Sequence, residues 1–201
     1  MKERDRALDF GDFISEFESQ PDRSAVIIGS IRLELLLEQL LLKNFIPNKN
    51  KQEEELFDPG KPLSSFHAKI HLSYRLGLID EGLFQILDLI RQIRNDFAHH
   101  LVGCTLESEE QKCRVNKIVA PLQKHKGFNG AKNIISKKHS CNKENSIQEA
   151  LSIQILSNES INFRAAIAVI TFLLGVQLKH VNPIKMQGVF PLTLQYEIRY
   201  E

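Results

Sequence analysis

The longest helical pattern in the chain covers about residues 21–45, where apolar positions almost encircle the predicted helix. These positions are Val26, Ile27, Ile31, Leu35, Leu37, Leu41, Leu42 and Phe45. Such a distribution is typical of a central, largely buried helix. Its polar residues Ser30, Glu34 and Glu38 form one narrow row at a spacing of four. A shorter amphipathic helix is predicted before it, over residues 5–19.

A Pro-, Asn- and Glu-rich stretch over residues 47–62 predicts an exposed loop after the central helix. Ser64 or Ser65 can cap a third helix, because a serine hydroxyl accepts a hydrogen bond from a free amide of the first turn. This helix runs over about residues 66–76. Gly77 closes it, since glycine readily adopts the left-handed backbone that ends many helices.

The fourth predicted helix begins after Asp80 and carries the most informative residues of the chain. Its core stripe repeats at spacings of four, three and four, at Ile86, Ile90, Ile93 and Phe97. At about 100° per residue, Arg94 lies at the edge of that stripe. Asn95 and His99 are four residues apart and share the face that points away from the core.

The second half of the chain predicts two helices and one strand. A helix over about 107–123 is expected to break near Pro121, and a longer one covers about 162–179. Between them, the Lys-, Asn-, Gly- and Ser-rich residues 124–146 predict a loop. The strict alternation over residues 192–200 predicts a β-strand. A lone strand exposes an unpaired edge, so we expect it to pair with a second copy or with another protein.

The predicted fold is therefore mainly α, an antiparallel helical bundle with a short C-terminal β-strand. We divide the chain into a bundle over 1–123, a basic loop over 124–146, and C-terminal helices of the same domain with the terminal strand over 147–201. A length of 201 residues with 42% hydrophobic and 25% charged positions fits one globular domain.

The composition also bears on the cellular location. Residues 2–6 are all charged and lead into no apolar signal-peptide core. The longest apolar run, over 165–176, is shorter than the roughly 20 residues of a membrane-spanning helix, so we expect a buried core helix and no membrane span. Three cysteines, Cys104, Cys113 and Cys141, predict reduced thiols in the cytoplasm.

The segment Ile93-Arg94-Asn95-Asp96-Phe97-Ala98-His99 resembles the R-x(4–6)-H signature of HEPN domains, in which a polar residue often follows the arginine. The chain around it is similar to the mannitol operon repressor (MltR) family, in the stretches 24–42 and 62–79. The resemblance covers about residues 20–105 and implies a HEPN-like bundle.

In active HEPN proteins two copies meet so that their motif residues line one cleft and cut RNA without a metal. The resemblance therefore implies a homodimer and assigns roles to Arg94, Asn95 and His99. An imidazole titrates near neutral pH, so His99 can act as general base or acid at the ribose and the leaving oxygen. Arg94 can hold the phosphate through its forked guanidinium. Asn95 can orient either group, and the sequence does not choose between His99 and His100.

A purely structural interpretation of the motif is also open. A histidine in the last turn of a helix is favoured by the helix dipole, and Arg94 can pair with Glu34 or Glu38 inside the bundle. Arg94 and His99 are five residues apart, so they diverge by about 140° on a straight helix. A shared site therefore requires that the helix ends near His99 or that two chains build the site.

Between Gln111 and Lys143 the chain has nine basic residues and no acidic one. Such a segment can contact a phosphate backbone, although a solvated lysine-rich loop is the simpler interpretation. The basic residues we select as RNA-binding candidates are Lys112, Arg114, Lys117, Lys137 and Lys138.

No metal or cofactor is expected. The cysteines and histidines follow no close-pair spacing of the C-x2-C kind, and the chain carries no phosphate-binding Gly-rich loop and no G-x-S-x-G motif. It also has no helix-turn-helix with a basic recognition helix, which weakens the transcription-repressor role that the MltR resemblance implies.

The first hypothesis for function is a dimeric, metal-independent endoribonuclease of the toxin or stress-defence kind. The alternative is a non-catalytic MltR-like transcriptional regulator or protein-interaction module that binds a partner or antitoxin through its C-terminal strand. A third possibility is an accessory subunit of a larger complex.

Overall fold

A computed structural model describes residues 10–46, 55–100, 103–141 and 156–180. Within these residues the protein is mainly α, as predicted, and contains seven α-helices, a single 3-10 turn and no strand. The helices are α1 (Phe10–Glu18), α2 (Asp22–Lys43), α3 (Phe66–Arg75), α4 (Glu81–His99), α5 (Glu109–Leu122), α6 (Lys126–Cys141) and α7 (Asn158–His180), and the 3-10 turn is Glu55–Phe57. The predicted strand over 192–200 lies outside the described residues.

Two long helices, α2 and α7, form the centre of the bundle. Helix α2 packs against α1, α3, α4 and α7, whereas α7 packs against α1, α2, α5 and α6. The two helices approach closely at Gly29, where a Cβ atom would lie 3.1 Å from both Ile167 Cγ2 and Phe17 Cε2. Absence of a side chain at Gly29 thus allows the central helices to pack at this distance.

A buried arginine joins the starts of the two central helices. The Arg164 guanidinium donates to Asp22 Oδ1 at 2.9 Å and to the carbonyl of Gln20 at 2.5 Å, and the Ser160 hydroxyl donates to the same Asp22 oxygen at 2.6 Å. Pairing within the bundle compensates part of the cost of burying this charge.

Helix α7 confirms the prediction of a buried core helix, and it extends beyond the expected 162–179. With 23 residues it is long and apolar enough to cross a membrane, but a core helix meets the same criteria. Eleven of its residues are buried inside the bundle.

The predicted loop over 124–146 is wrong for Lys126–Cys141, which form helix α6. Phe128 and Ile135 are buried and Ala131 is half-buried, so residues spaced three and four apart pack on the rest of the core. Helix α6 contacts α7 and is therefore part of the bundle. The basic residues at positions 126–138 therefore lie on a helix. The predicted division of the chain at residue 124, between the bundle and a basic loop, is wrong because the bundle continues into α6.

The predicted caps of α3 and α4 are confirmed. Ser65 Oγ accepts from the Ala68 amide at 3.1 Å, and Asp80 Oδ1 accepts from the Leu83 amide at 2.8 Å. Gly77 has a φ of 68°, a backbone conformation that side chains with a Cβ rarely adopt. These local signals fix where α4, the helix that carries the motif, begins.

Candidate functional site

The motif residues lie in the last turns of α4, which packs against α2, α3 and α5. All four residues of the predicted core stripe are buried: Ile86, Ile90, Ile93 and Phe97. Arg94 and Asn95 are consequently half-buried at the border of the core. His99 is the last residue of the helix, and its side chain is exposed.

The structure brings Arg94 and Asn95 together and leaves His99 apart. Arg94 Nη1 donates to Asn95 Oδ1 at 3.2 Å. No hydrogen bond in the described parts of the chain links His99 to either residue. A single chain thus supplies a guanidinium–amide pair and a separate solvent-facing imidazole, as expected from the 140° divergence.

The neighbouring His100 is engaged by the end of the helix. Its amide donates to the Asp96 carbonyl at 3.0 Å, and its Nδ1 lies 3.0 Å from the same oxygen. The imidazole of His99 makes no such contact with a backbone carbonyl of the described residues and faces solvent.

Arg23 fixes the C-terminal turn of α4, a role that sequence reasoning missed. This residue belongs to the first turn of α2. Its guanidinium donates to the carbonyl oxygens of Phe97 and His100, the latter at 2.5 Å. The last carbonyls of a helix have no partner within the helix. Arg23 satisfies two carbonyls in this region and holds the backbone around His99 in place.

Asp96 was also missed, and it joins α4 to α5. Its carboxylate accepts from Gln111 Nε2 at 2.7 Å and from Arg114 Nη1. Burial raises the pKa of Asp96, but the hydrogen bonds from Arg114 and Gln111 outweigh that effect and hold the pKa below its ordinary value. Arg114 also pairs with Glu110. Its guanidinium therefore contacts two carboxylates, unlike the phosphate contact that the sequence suggested.

The structural interpretation that paired Arg94 with Glu34 or Glu38 is wrong. Lys69 of α3 occupies that position, with its Nζ 2.9 Å from Glu34 Oε1 and 3.0 Å from Glu38 Oε2. Lys69 and Glu38 are buried. The polar row on α2 thus serves the α2–α3 contact, and Arg94 is not used to neutralise it.

The remaining basic candidates lie on two helices. Lys112 and Lys117 are exposed on α5, and Lys112 Nζ is 3.9 Å from Glu159 Oε1. Lys137 is exposed on α6. Lys138 belongs to α6, but its side chain lies outside the described ones.

Three exposed rings of α3 pack around a half-buried ring of α4, and the significance of this cluster was not evident from the sequence. His67 and His71 have ring centroids 4.1 Å apart, His71 meets Phe84 edge-on at 5.0 Å, and Tyr74 stacks on Phe84 at 4.7 Å. Partial burial, His71 and Arg91 together lower the pKa of His67, against an opposing effect of Asp88. We call these four residues the aromatic cluster.

The aromatic cluster and the motif share one face of α4. Phe84 precedes Asn95 by eleven residues, which is about three helical turns. The two side chains therefore leave the helix in nearly the same direction, about 16 Å apart along its axis. The helical periodicity of the sequence places Phe84 and Asn95 on the same side of α4. Only the packing of α3 against α4 shows that His71 and Tyr74 contact Phe84.

The described residues contain no group of three or more His, Cys, Asp or Glu side chains that could hold a metal ion. Cys104 and Cys113 are free thiols. Burial raises the pKa of the Cys104 thiol, together with the nearby negative charge of Asp96. Cys104 is thus unsuited to act as a thiolate nucleophile near neutral pH.

Comparison of the chain with protein-family models, with curated proteins and with solved structures gives no match. Functional inference therefore depends on the motif in α4 and on the geometry that surrounds it.

Proposed function

We propose that this protein is a metal-independent endoribonuclease that acts on RNA as a homodimer, with Arg94, Asn95 and His99 in its active site. The proposal includes a HEPN-like arrangement of the helical bundle and a toxin or stress-defence role in the cytoplasm. The observation that carries it is the end of α4 at His99, which leaves an exposed imidazole on the same helix as the half-buried Arg94–Asn95 pair.

The side-chain environments fit the proposed roles. Arg94 donates one of its N–H groups to Asn95, and a guanidinium has five, so a fork remains for a phosphate. Asn95 fixes the direction of that fork. The exposed His99 imidazole can accept the proton of a ribose 2′-hydroxyl or donate one to the leaving oxygen. Cleavage by these groups would give a 2′,3′-cyclic phosphate and a 5′-hydroxyl.

A second copy of the chain is part of the proposal because one chain does not join His99 to Arg94. Asn95 and His99 lie about one helical turn apart on the same face of α4, where Asn95 is half-buried and His99 is exposed, and Arg94 lies at the border of the core. If two α4 helices meet on this face, His99 of one chain can approach the Arg94–Asn95 pair of the other. Residues 192–200 are proposed to add a strand that pairs with a second copy or with an antitoxin.

Single-stranded RNA is the substrate form that the surface favours. Bases stack on exposed aromatic rings without regard to sequence, and the aromatic cluster presents the exposed rings of His67, His71 and Tyr74 around the half-buried Phe84. Lys112, Lys117 and Lys137 add exposed positive charge for the phosphate backbone.

The test is cleavage of a 5′-labelled single-stranded RNA by purified protein in EDTA. We expect 2′,3′-cyclic phosphate products, and we expect Arg94→Ala and His99→Ala each to lower the rate by at least about a hundredfold. His180→Ala is the matched control, because His180 is also an exposed histidine in the last turn of a helix. This control should cleave like the wild type.

Far-UV circular dichroism and melting curves establish whether each variant is folded. Equal cleavage by the wild type, Arg94→Ala and His99→Ala would identify a contaminating nuclease and refute the proposal. A folded wild type that leaves RNA intact, or one that remains monomeric at the assay concentration, would refute it too.

A further inference from the structure

An apolar cavity lies along the C-terminal half of α2, whereas the motif turn contacts the start of that helix. The cavity has a volume of about 440 Å³ and is formed by α1, α2 and α7. Arg23 contacts the motif turn, whereas Lys43 lines the cavity. Arg32, the lining residue of α2 nearest to Arg23, is nine residues from it, about 14 Å along the helix, and Lys43 is 20 residues from it, about 30 Å. A ligand here would therefore occupy a site separate from the proposed active site.

The walls of the cavity are apolar, and part of their surface faces solvent. Leu36 forms the buried side, and Phe10, Phe172 and Val176 are exposed. The rings of Phe10 and Phe172 meet edge-on with centroids 6.1 Å apart. Pockets for small molecules typically have about 300–1,000 Å³ and mostly apolar walls, and this cavity fits that range.

The polar groups around the cavity are cationic or hydrogen-bond donors. Lys43, Lys179 and the buried Arg32 line it, and none of the ten described lining residues is acidic. Lys43 donates to the Leu178 carbonyl at 2.5 Å, and an ammonium group has two further N–H donors. An anionic head group would complement this charge.

Thr171 provides a second and independent indication of a ligand. It is only 1% exposed, it lines the cavity, and its hydroxyl has no hydrogen-bond partner among the described residues. A buried hydroxyl without a partner costs free energy. A ligand oxygen that reaches this hydroxyl would accept a hydrogen bond from it.

We propose that this cavity binds an aliphatic carboxylate. The hydrocarbon chain lies against Leu36, Phe172 and Val176, and the carboxylate lies near Lys43 and Lys179 with an oxygen within reach of the Thr171 hydroxyl. Apolar burial supplies most of the affinity, and the cations select a negatively charged head group.

Gly175 allows the cavity to be filled without disturbing the core. It lines the cavity within α7, and a Cβ atom added there meets no atom of the described residues within 4 Å. The side chain of Gly175→Leu would occupy the ligand space, and leucine also favours the helix more than glycine does. This variant should therefore lose the ligand while it melts at a higher temperature than the wild type.

The test is isothermal titration calorimetry of the full chain with decanoate as the probe at neutral pH. We expect saturable binding to the wild type and a Kd at least about tenfold weaker for Gly175→Leu. Gly130→Leu is the matched control, because Gly130 also lies in a helix with open space around its Cα. It should bind decanoate like the wild type.

The head group is tested separately. Decanol should bind about tenfold more weakly than decanoate, and Lys43→Met should reduce that difference. No binding of decanoate to the wild type, or equal binding by Gly175→Leu, would overturn the proposal. Equal affinity for decanoate and decanol would overturn the charge assignment. Because the measurement needs no RNA cleavage, its outcome is independent of the proposed nuclease activity.

Discussion

Arg23 Nη2 donates a hydrogen bond to the carbonyl oxygen of His100 at 2.5 Å and thereby joins residues 77 positions apart in the sequence. The same guanidinium also binds the Phe97 carbonyl. The start of the central helix α2 therefore determines where the last turn of α4 lies. Since His99 is between these two carbonyls, Arg23 acts as a positioning residue for the proposed active site.

We expect Arg23→Met to reduce RNA cleavage without unfolding the bundle. Methionine keeps much of the apolar stem but leaves two carbonyls near His99 without their donors. Hydrogen bonds to charged groups contribute about 1.5–3 kcal/mol to the free energy of unfolding. Because Arg23 is partly exposed, we expect Arg23→Met to lower this free energy by an amount at the lower end of that range. Amide hydrogen exchange of the last turn of α4 should become faster, whereas exchange in α7 should not change. Unchanged exchange in α4 would show that Arg23 does not hold this turn.

Asp96 should make part of the stability dependent on pH. Its pKa is held below the ordinary value of 3.8, so the folded state binds the proton less readily than the unfolded chain does. The resulting stabilisation is complete above that ordinary value and is lost as the pH falls through the lower folded pKa. We expect Asp96→Asn to lower stability at pH 7 by about 1 kcal/mol. The difference from the wild type should shrink as the pH falls below 3.8.

Melting temperatures measured between pH 7 and pH 2 test this expectation. Asp88 also has a lowered pKa, because the hydrogen bonds from Arg91 and Gln92 outweigh the opposing effect of burial. Asp88 is present in the wild type and in Asp96→Asn, so it affects both curves of melting temperature against pH alike. A constant difference between the two curves would mean that Asp96 does not carry the pH dependence.

Lys69 should contribute strongly to stability because its ammonium pairs with two carboxylates on α2. Its side chain is 5% exposed, and those of Glu38 and Glu34 are 6% and 19% exposed. Removing one member of a buried ion pair typically costs about 3–5 kcal/mol, since it leaves an uncompensated charge. We expect a loss of this size for Lys69→Met in urea unfolding.

Lys61→Met is the control for Lys69→Met. Lys61 lies 4.0 Å from Glu55, and both side chains are largely exposed. Surface pairs of this kind contribute about 0–1 kcal/mol. Equal effects of the two substitutions would contradict the assignment of Lys69 as a buried bridge.

The sequence predicts what local chemistry determines. Ser65, Asp80 and Gly77 mark the ends of α3 and α4 because caps depend on residues a few positions apart. Spacing alone identifies the core stripe of α4 and the outward position of His99. These features could be predicted because each helix carries its own periodic pattern.

The features that sequence reasoning missed depend on distant contacts. Arg23 meets the motif turn across 74 and 77 positions, and no local pattern indicates this pairing. The row of Glu34 and Glu38 indicates a polar contact but does not reveal that Lys69 supplies the cation. Helix α6 was missed because its many Lys, Asn and Gly residues hide a sparse apolar stripe that is stabilised by packing on α7.

Close packing of the central helices gives a last prediction, at Gly29. Alanine usually stabilises a helix by about 1 kcal/mol relative to glycine. Here, however, the new Cβ atom would lie 3.1 Å from Ile167 Cγ2 and from Phe17 Cε2, and both side chains are fully buried. Because neither neighbour has free space to move into, we expect Gly29→Ala to destabilise the protein by about 1–3 kcal/mol. Ile167→Ala removes one of the two contacts, so Gly29→Ala should cost less in that background than in the wild type. A double-mutant cycle by urea unfolding measures this coupling, and additive effects would show that α2 and α7 are not in close contact at Gly29.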